Sequence, residues 1–382
     1  MKPSPDVAIP LEQDSAALPL RELSLGAPVS RAFLLGSAAG VFIAHLALWL
    51  WVSWTRGPAL TDILDRWDAS HYTLIIREGY SGEHWAFFPL YPMTVRAVAS
   101  VLGVEQVQVL GAVLSTAAFL GFALLVARAR ERDDLPEGLM PRTRLGWLVF
   151  LLAPASYVFH SHHTESLFLV LSSLALFFGA TRRPGWGGLL AALCVLTRNQ
   201  GAFVVLATAV LAATREQGGA RRLRAFVLVG ALGALGALCF LAFEYLAAGT
   251  PLAFLHAQNG WHHADSVAAV FKTFIFGNPW QNTRSPYLLR YGVFWVCLIG
   301  TWFLSRRQPA LGLYAALSMA VMLLQGEVAN VFRFGTVVFP LLFFLGDRCA
   351  RRPVWFQGVV VVALLLLNLA TARGYAVGRW AY

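Results

Sequence analysis

Long apolar runs, repeated along the chain, constrain its fold more than any other feature. They fall at about 32–55, 106–127, 145–159, 165–180, 186–197, 200–214, 225–247, 289–304, 309–325, 335–346 and 354–372. Several approach the roughly 20 residues that carry a helix across the hydrocarbon core of a bilayer. The chain of 382 residues is 58% hydrophobic and only 13% charged, against about 25% charged in an average soluble domain. Too few polar side chains remain to coat a water-facing globule, so the reading is a polytopic membrane protein. The net charge of +10 does not point to nucleic acid, because the basic residues sit in short clusters between apolar runs, as the positive-inside rule describes. Cys194, Cys239, Cys297 and Cys349 are scattered and show neither a disulfide framework nor zinc spacing.

Residues 1–31 mix Pro, Asp, Glu and small residues without periodicity and read as a disordered cytoplasmic tail, with one transmembrane domain over 32–382. Arg128, Arg130, Arg132, Arg142 and Arg144, then Arg182 and Arg183, then Arg215, Arg221, Arg222 and Arg224, then Arg306 and Arg307, and finally Arg348, Arg351 and Arg352 fit internal loops. This places the N-terminus in the cytoplasm and predicts a multi-pass protein of the inner (plasma) membrane. The fit needs 87–102 to lie along the interface and 186–214 to form a hairpin of two short helices. About eleven spans result, with interfacial helices in the first outer loop. The segments 56–105, 160–165, 198–201, 248–288 and 326–334 then share one outer face, where nearly all the unusual polar residues gather.

Arg66-Trp67-Asp68-Ala69-Ser70-His71-Tyr72 is the densest of these. On a helix Asp68 and Tyr72 share a face. A carboxylate among aromatics at the membrane surface is partly desolvated and suits a general base; the plainer alternative is a solvated acid paired with Arg66. Glu83-His84-Trp85 leads into an aromatic run with Pro89 and Pro92, which admits an interfacial anchor as readily as a substrate contact. His160, His162, His163 and Glu165 crowd a short turn, but neighbouring histidines point apart on most backbones, and metal ligands need fixed spacing on a rigid element. The same holds for His262, His263 and Asp265, and Asp133-Asp134 reads as a solvated charge pair in an arginine-rich loop. No metal or other cofactor is expected. Arg198 and Arg333 stand at membrane depth, where charge is costly. Each is either a paired structural arginine or a clamp for phosphate oxygens, with Arg198 favoured for the clamp.

Arg66-Trp67-Asp68, Gly79-Tyr80, Ala86-Phe87-Phe88-Pro89-Leu90-Tyr91-Pro92, Pro154-Ala155-Ser156 and Glu165-Ser166-Leu167-Phe168, in this order, resemble the PIG-V mannosyltransferase family and its bacterial relatives. Arg198-Asn199-Gln200-Gly201 is similar to the family's Arg-Ser-Asn-Gly in altered order, and Arg333-Phe334 before Pro340 to a late Arg-aromatic pair. The resemblance implies a GT-C-type all-α bundle and transfer of a sugar, mannose by family, from a polyprenyl-phosphate donor to a glycan or glycolipid acceptor on the extracytoplasmic face. It implies Asp68 as the catalytic acid of the first outer loop. Arg66, Trp67, His71, Tyr72, Glu83, His84, Glu165, Arg198, Asn199 and Arg333 are the expected substrate-binding residues. The rival class, a transporter or lipid flippase, commonly carries internal repeats and midplane helix breaks; no repeat is evident. A structural assembly protein would leave Asp68 and the arginines without a role.

Overall fold

The computed structural model describes residues 24–258, 286–324 and 330–379; His262, His263 and Asp265, and most of the tail over 1–31, lie outside them. Residues 24–29 run beside 142–145, with Leu145 N–H donating to Leu25 O at 2.9 Å and Arg144 N–H to Ala27 O at 3.0 Å. Apart from isolated bridges, the regular structure among the described residues is helical.

The first helix, α1 (Arg31–Arg56), begins at Ser30, whose hydroxyl accepts from Phe33 N–H, and ends at Gly57 in a left-handed conformation, the usual start and stop of a free-standing helix. The segment after α1 follows as α2 (Leu60–Leu64), α3 (Asp68–Glu78), a 3-10 turn at Gly82–Ala86 and α4 (Leu90–Leu102). Then come α5 (Val107–Ala129), α6 (Arg144–Leu151), a 3-10 turn at Ser156–His160, α7 (Glu165–Ala180), α8 (Pro184–Val195), α9 (Gly201–Arg215) and α10 (Gly219–Ala248). The remainder is α11 (Ala253–Gln258), α12 (Pro286–Arg307), α13 (Pro309–Leu324), α14 (Val331–Thr336), α15 (Phe339–Cys349) and α16 (Val354–Ala376).

Among the described residues four helices, α1, α5, α10 and α16, are long and apolar enough to cross a membrane. They leave large apolar side chains such as Trp51, Val113, Leu238 and Leu366 exposed, which water would not tolerate in such quantity and lipid does. Shorter apolar helices, among them α4, α7, α8, α9 and α13, fill the bundle. The chain is thus a multi-span helical membrane protein.

The run at 145–159, expected as one helix, is two pieces. Pro154 has no N–H to continue the ladder, so α6 stops at Leu151 and the chain resumes as the 3-10 turn. Lipid offers nothing to satisfy the carbonyls freed by such a break; α16 supplies the partners. Asn368 Nδ2 donates to Ala153 O and to Ser156 Oγ, each at 2.8 Å, Thr371 Oγ1 donates to Pro154 O, and Asn368 Oδ1 meets His45 Nε2 at 2.7 Å. The 186–214 hairpin forms as α8 and α9, whose 12 and 15 residues extend only about 18 and 22 Å, short of a full crossing. At its tip a Cβ on residue 201 would lie 2.3 Å from the Cys194 carbonyl; glycine there lets the two helices close so tightly.

The two ends of the bundle differ. At one, Asp347 clasps the start of α6, accepting from Arg142 N–H at 3.0 Å, Thr143 N–H at 2.9 Å and Thr143 Oγ1 at 2.7 Å. Arginines crowd around it, paired as Arg132 with Asp134 and Arg348 with Glu137. The other end is reached along α7, whose 16 residues separate the two by about 24 Å, and holds the motif residues.

Candidate active site

The site grows from a forced bend. Trp67 has φ 57 and ψ −127, a backbone region that costs a side-chain-bearing residue about 1–3 kcal/mol. The bend turns the chain from α2 into α3 and makes Asp68 the first residue of α3, with Ser70 Oγ donating to Trp67 O at 2.7 Å. Arg66 points elsewhere: its Nη1 donates to Tyr375 O at 3.3 Å, at the end of α16. The pairing of Asp68 with its neighbour Arg66, one of the two readings of this motif, does not form.

Asp68 is held instead by Arg333 of α14, Nη1 to Oδ2, at 2.6 Å. Arg333 Nε donates to Glu165 Oε1, and Arg198 Nη1 donates to the same oxygen at 2.5 Å. Four charged residues from α3, α7, α14 and the α8–α9 tip thus form one chain, Arg198–Glu165–Arg333–Asp68. The side chains of Arg198 and Arg333 are each 6% exposed, Glu165 0% and Asp68 19%. Asp68 is the end of the chain that reaches the surface. Buried charges persist only when paired and hydrogen-bonded. Gln200 Oε1 accepts from Arg198 Nε at 3.4 Å, and the Arg198 guanidinium lies 5.0 Å from the centre of the Phe334 ring, a cation–π contact. Two acids balance two guanidiniums, so the set is neutral at rest.

Behind it lies an aromatic and imidazole wall. Tyr72 is buried against Phe87, Tyr91 and His162, with ring centres 5.3, 5.1 and 5.9 Å away, and so packs the wall that backs Asp68. Tyr91 Oη is hydrogen-bonded to His162 Nδ1 at 2.8 Å and lies 3.2 Å from Ser115 Oγ. Ser115 Oγ donates to His163 O at 2.8 Å. The turn at 160–165 spreads its imidazoles: His160 against Phe119, His162 toward Tyr91, His163 onto Ser161 Oγ at 2.8 Å. Burial pushes the His162 and His163 imidazoles well below their ordinary range, so both stand neutral. Room for the His162 ring comes from Gly111 on α5, where a Cβ would lie 1.8 Å from His162 Nδ1.

His71, Glu83 and His84 converge near the mouth. His71 stacks on Phe87 with ring centres 5.0 Å apart, and its Nδ1 is 3.8 Å from Glu83 Oε1. Asn199 is exposed at the tip, while its neighbour Gln200 is buried and supports Arg198. Gln200, Tyr91, Ser115, Phe334 and the Tyr375 carbonyl are contributors that sequence reasoning missed. Tyr91, Gln200 and Phe334 stood inside motif segments and could have been found; a backbone carbonyl from α16 left no signal.

Residues 52–213 match the sequence profile of the family described as Mannosyltransferase (PIG-V). Over 156 residues the chain is 33% identical to GPI alpha-1,6-mannosyltransferase 2 of Rattus norvegicus, a stretch covering 37% of this chain and 30% of the rat protein. It is 34% identical over 151 residues to the protein of the same name from Mus musculus, covering 36% of this chain and 29% of the mouse one. The chain therefore spans about 30% of the length of these curated relatives. No solved structure gives a significant match. Arg66, Trp67, Asp68, Glu165 and Arg198 lie within the matched residues and Arg333 lies beyond them. The segment that supplies three of the four charged residues of the buried chain, 52–213, is the one that matches the PIG-V mannosyltransferase family.

Proposed function

We propose that the protein transfers mannose from a polyprenyl-phosphate donor to a hydroxyl of a glycan or glycolipid acceptor on the extracytoplasmic face, with inversion at the anomeric carbon. The observation that carries this is the chain of buried charges ending in one solvent-reaching carboxylate, Asp68. The sugar is taken from the relatives' α-1,6-mannosyltransferase name. The face is taken from the arginine bias among the loops, as are about eleven spans and a plasma-membrane location.

A lipid phosphate leaves as a stable anion, so one carboxylate suffices, whereas a glycoside hydrolase needs two. Asp68 accepts the proton of the acceptor hydroxyl. That oxygen bonds to the anomeric carbon, and the bond from this carbon to the phosphate oxygen breaks, the phosphate keeping the electron pair. Negative charge thus moves from Asp68 to the departing phosphate. Arg333, which holds Asp68 at rest, and Arg198 are the guanidiniums for that phosphate, Glu165 fixing both from behind. An incoming donor competes with Asp68 for Arg333 and so frees the base as it binds. The arginines take over in this step the charge-neutralising task that a metal performs on nucleotide diphosphates. The isoprenoid tail lies in lipid between spans.

The test is transfer by purified protein, offered polyprenyl-phosphate-mannose or a nucleotide-linked mannose with a panel of glycolipid acceptors. Transfer from the lipid donor alone is expected. Transfer from the nucleotide sugar alone would refute the donor class.

A further inference from the structure

We infer that His71, Glu83 and His84 form a binding site for a divalent transition-metal ion of the zinc class at the outer mouth of the site. One ligand atom from each of the three lies within 4.8 Å of the others. His71 stands on α3 one turn beyond Asp68, on the same face; Glu83 and His84 come from the 3-10 turn Gly82–Ala86. The two imidazole rings are 5.5 Å apart, centre to centre, and Phe87 stacks beneath His71 and fixes its plane. His84 Nδ1 is buried without a hydrogen-bond partner among the described residues, an arrangement that costs free energy unless something binds there.

An ion about 2.0–2.2 Å from each donor in tetrahedral geometry needs donors roughly 3.3–3.6 Å apart. His71 Nδ1 and Glu83 Oε1 are already at 3.8 Å. Glu83, whose side chain is 61% exposed, can rotate to close on the two imidazoles, whose own donor atoms lie within 4.8 Å of each other. Two imidazoles and one carboxylate suit zinc, cobalt or manganese better than calcium or magnesium, which take oxygen ligands. Three protein ligands leave a coordination position for a water or a substrate oxygen. The ion would also tie the 3-10 turn to α3 beside Asp68. Sequence alone pointed away from metal because it weighed only the contiguous histidine turns; this group joins residues twelve positions apart.

The inference does not depend on the transferase reading, and its test uses neither donor nor acceptor. Untagged full-length protein in detergent, stripped with chelator, is titrated with zinc and with cobalt and freed of excess by gel filtration. Close to one zinc per chain is expected, with cobalt giving the visible absorption of a low-coordinate site. Glu83→Gln, at an exposed position that leaves folding intact, should weaken binding at least tenfold, and His84→Ala should abolish it. Retention of less than a tenth of an equivalent, or unchanged affinity in Glu83→Gln and His84→Ala, would overturn the site.

Discussion

Asp68 is the one member of the charged chain with solvent access, and its replacement separates chemistry from architecture. Asp68→Asn keeps the shape and removes the base; transfer should fall by about 10²–10⁴-fold while the protein stays in the membrane and monodisperse. Near-normal transfer would contradict the assignment. Glu165→Gln should do something different. It leaves two buried guanidiniums with one acid between them, and breaking a buried pair in this way costs about 3–5 kcal/mol. Thermal unfolding in detergent should therefore show Glu165→Gln far less stable than Asp68→Asn, and equal stabilities would deny Glu165 its place at the centre. Arg198→Lys and Arg333→Lys keep charge but lose the planar fork; each should raise the donor KM, readable in initial-rate kinetics. The acid and both arginines were visible in the sequence as polar residues at membrane edges. Their partnership was not, because Arg333 lies 265 residues from Asp68 and no periodicity links them. Glu165 was read as a substrate contact, yet its full burial behind two arginines leaves it acting through them.

At the scale of elements, apolar runs translate into helices where length and composition agree, as in α1, α5, α10 and α16. The α8–α9 hairpin was legible because both of its ends are basic and neither half is long enough to cross. The break in 145–159 was less so. Pro154 was plain in the sequence, but its consequence depends on a repair made by Asn368 and Thr371, far along the chain. Asn368→Leu should leave the Ala153 carbonyl and the His45 imidazole without partners, at about 1–3 kcal/mol for an unsatisfied buried group; a melting temperature within a degree of wild type would argue against the repair. Gly111→Ala is the parallel test on α5. A methyl 1.8 Å from the His162 ring must displace it and the Tyr91 bond, costing about 1–3 kcal/mol and lowering transfer.

For the whole molecule, the separation of an arginine-rich end from a motif-bearing end makes sidedness measurable. In a background without Cys239 and Cys349, the two cysteines that are not buried, Ser81→Cys should react with an impermeant thiol reagent in intact cells. Asp133→Cys, equally open to solvent, should react only after permeabilisation. The reverse pattern would invert the orientation and with it the donor class. The folded topology also bears on biogenesis. The last described helix, α16, carries the groups that mend the break at Pro154, and its Tyr375 carbonyl anchors Arg66, two residues before Asp68. A nascent polypeptide halted before residue 368 holds Asp68, Glu165, Arg198 and Arg333 and still lacks the brace that sets them. The four charged side chains thus leave the ribosome well before the helix that braces them, and their arrangement is set only when α16 inserts.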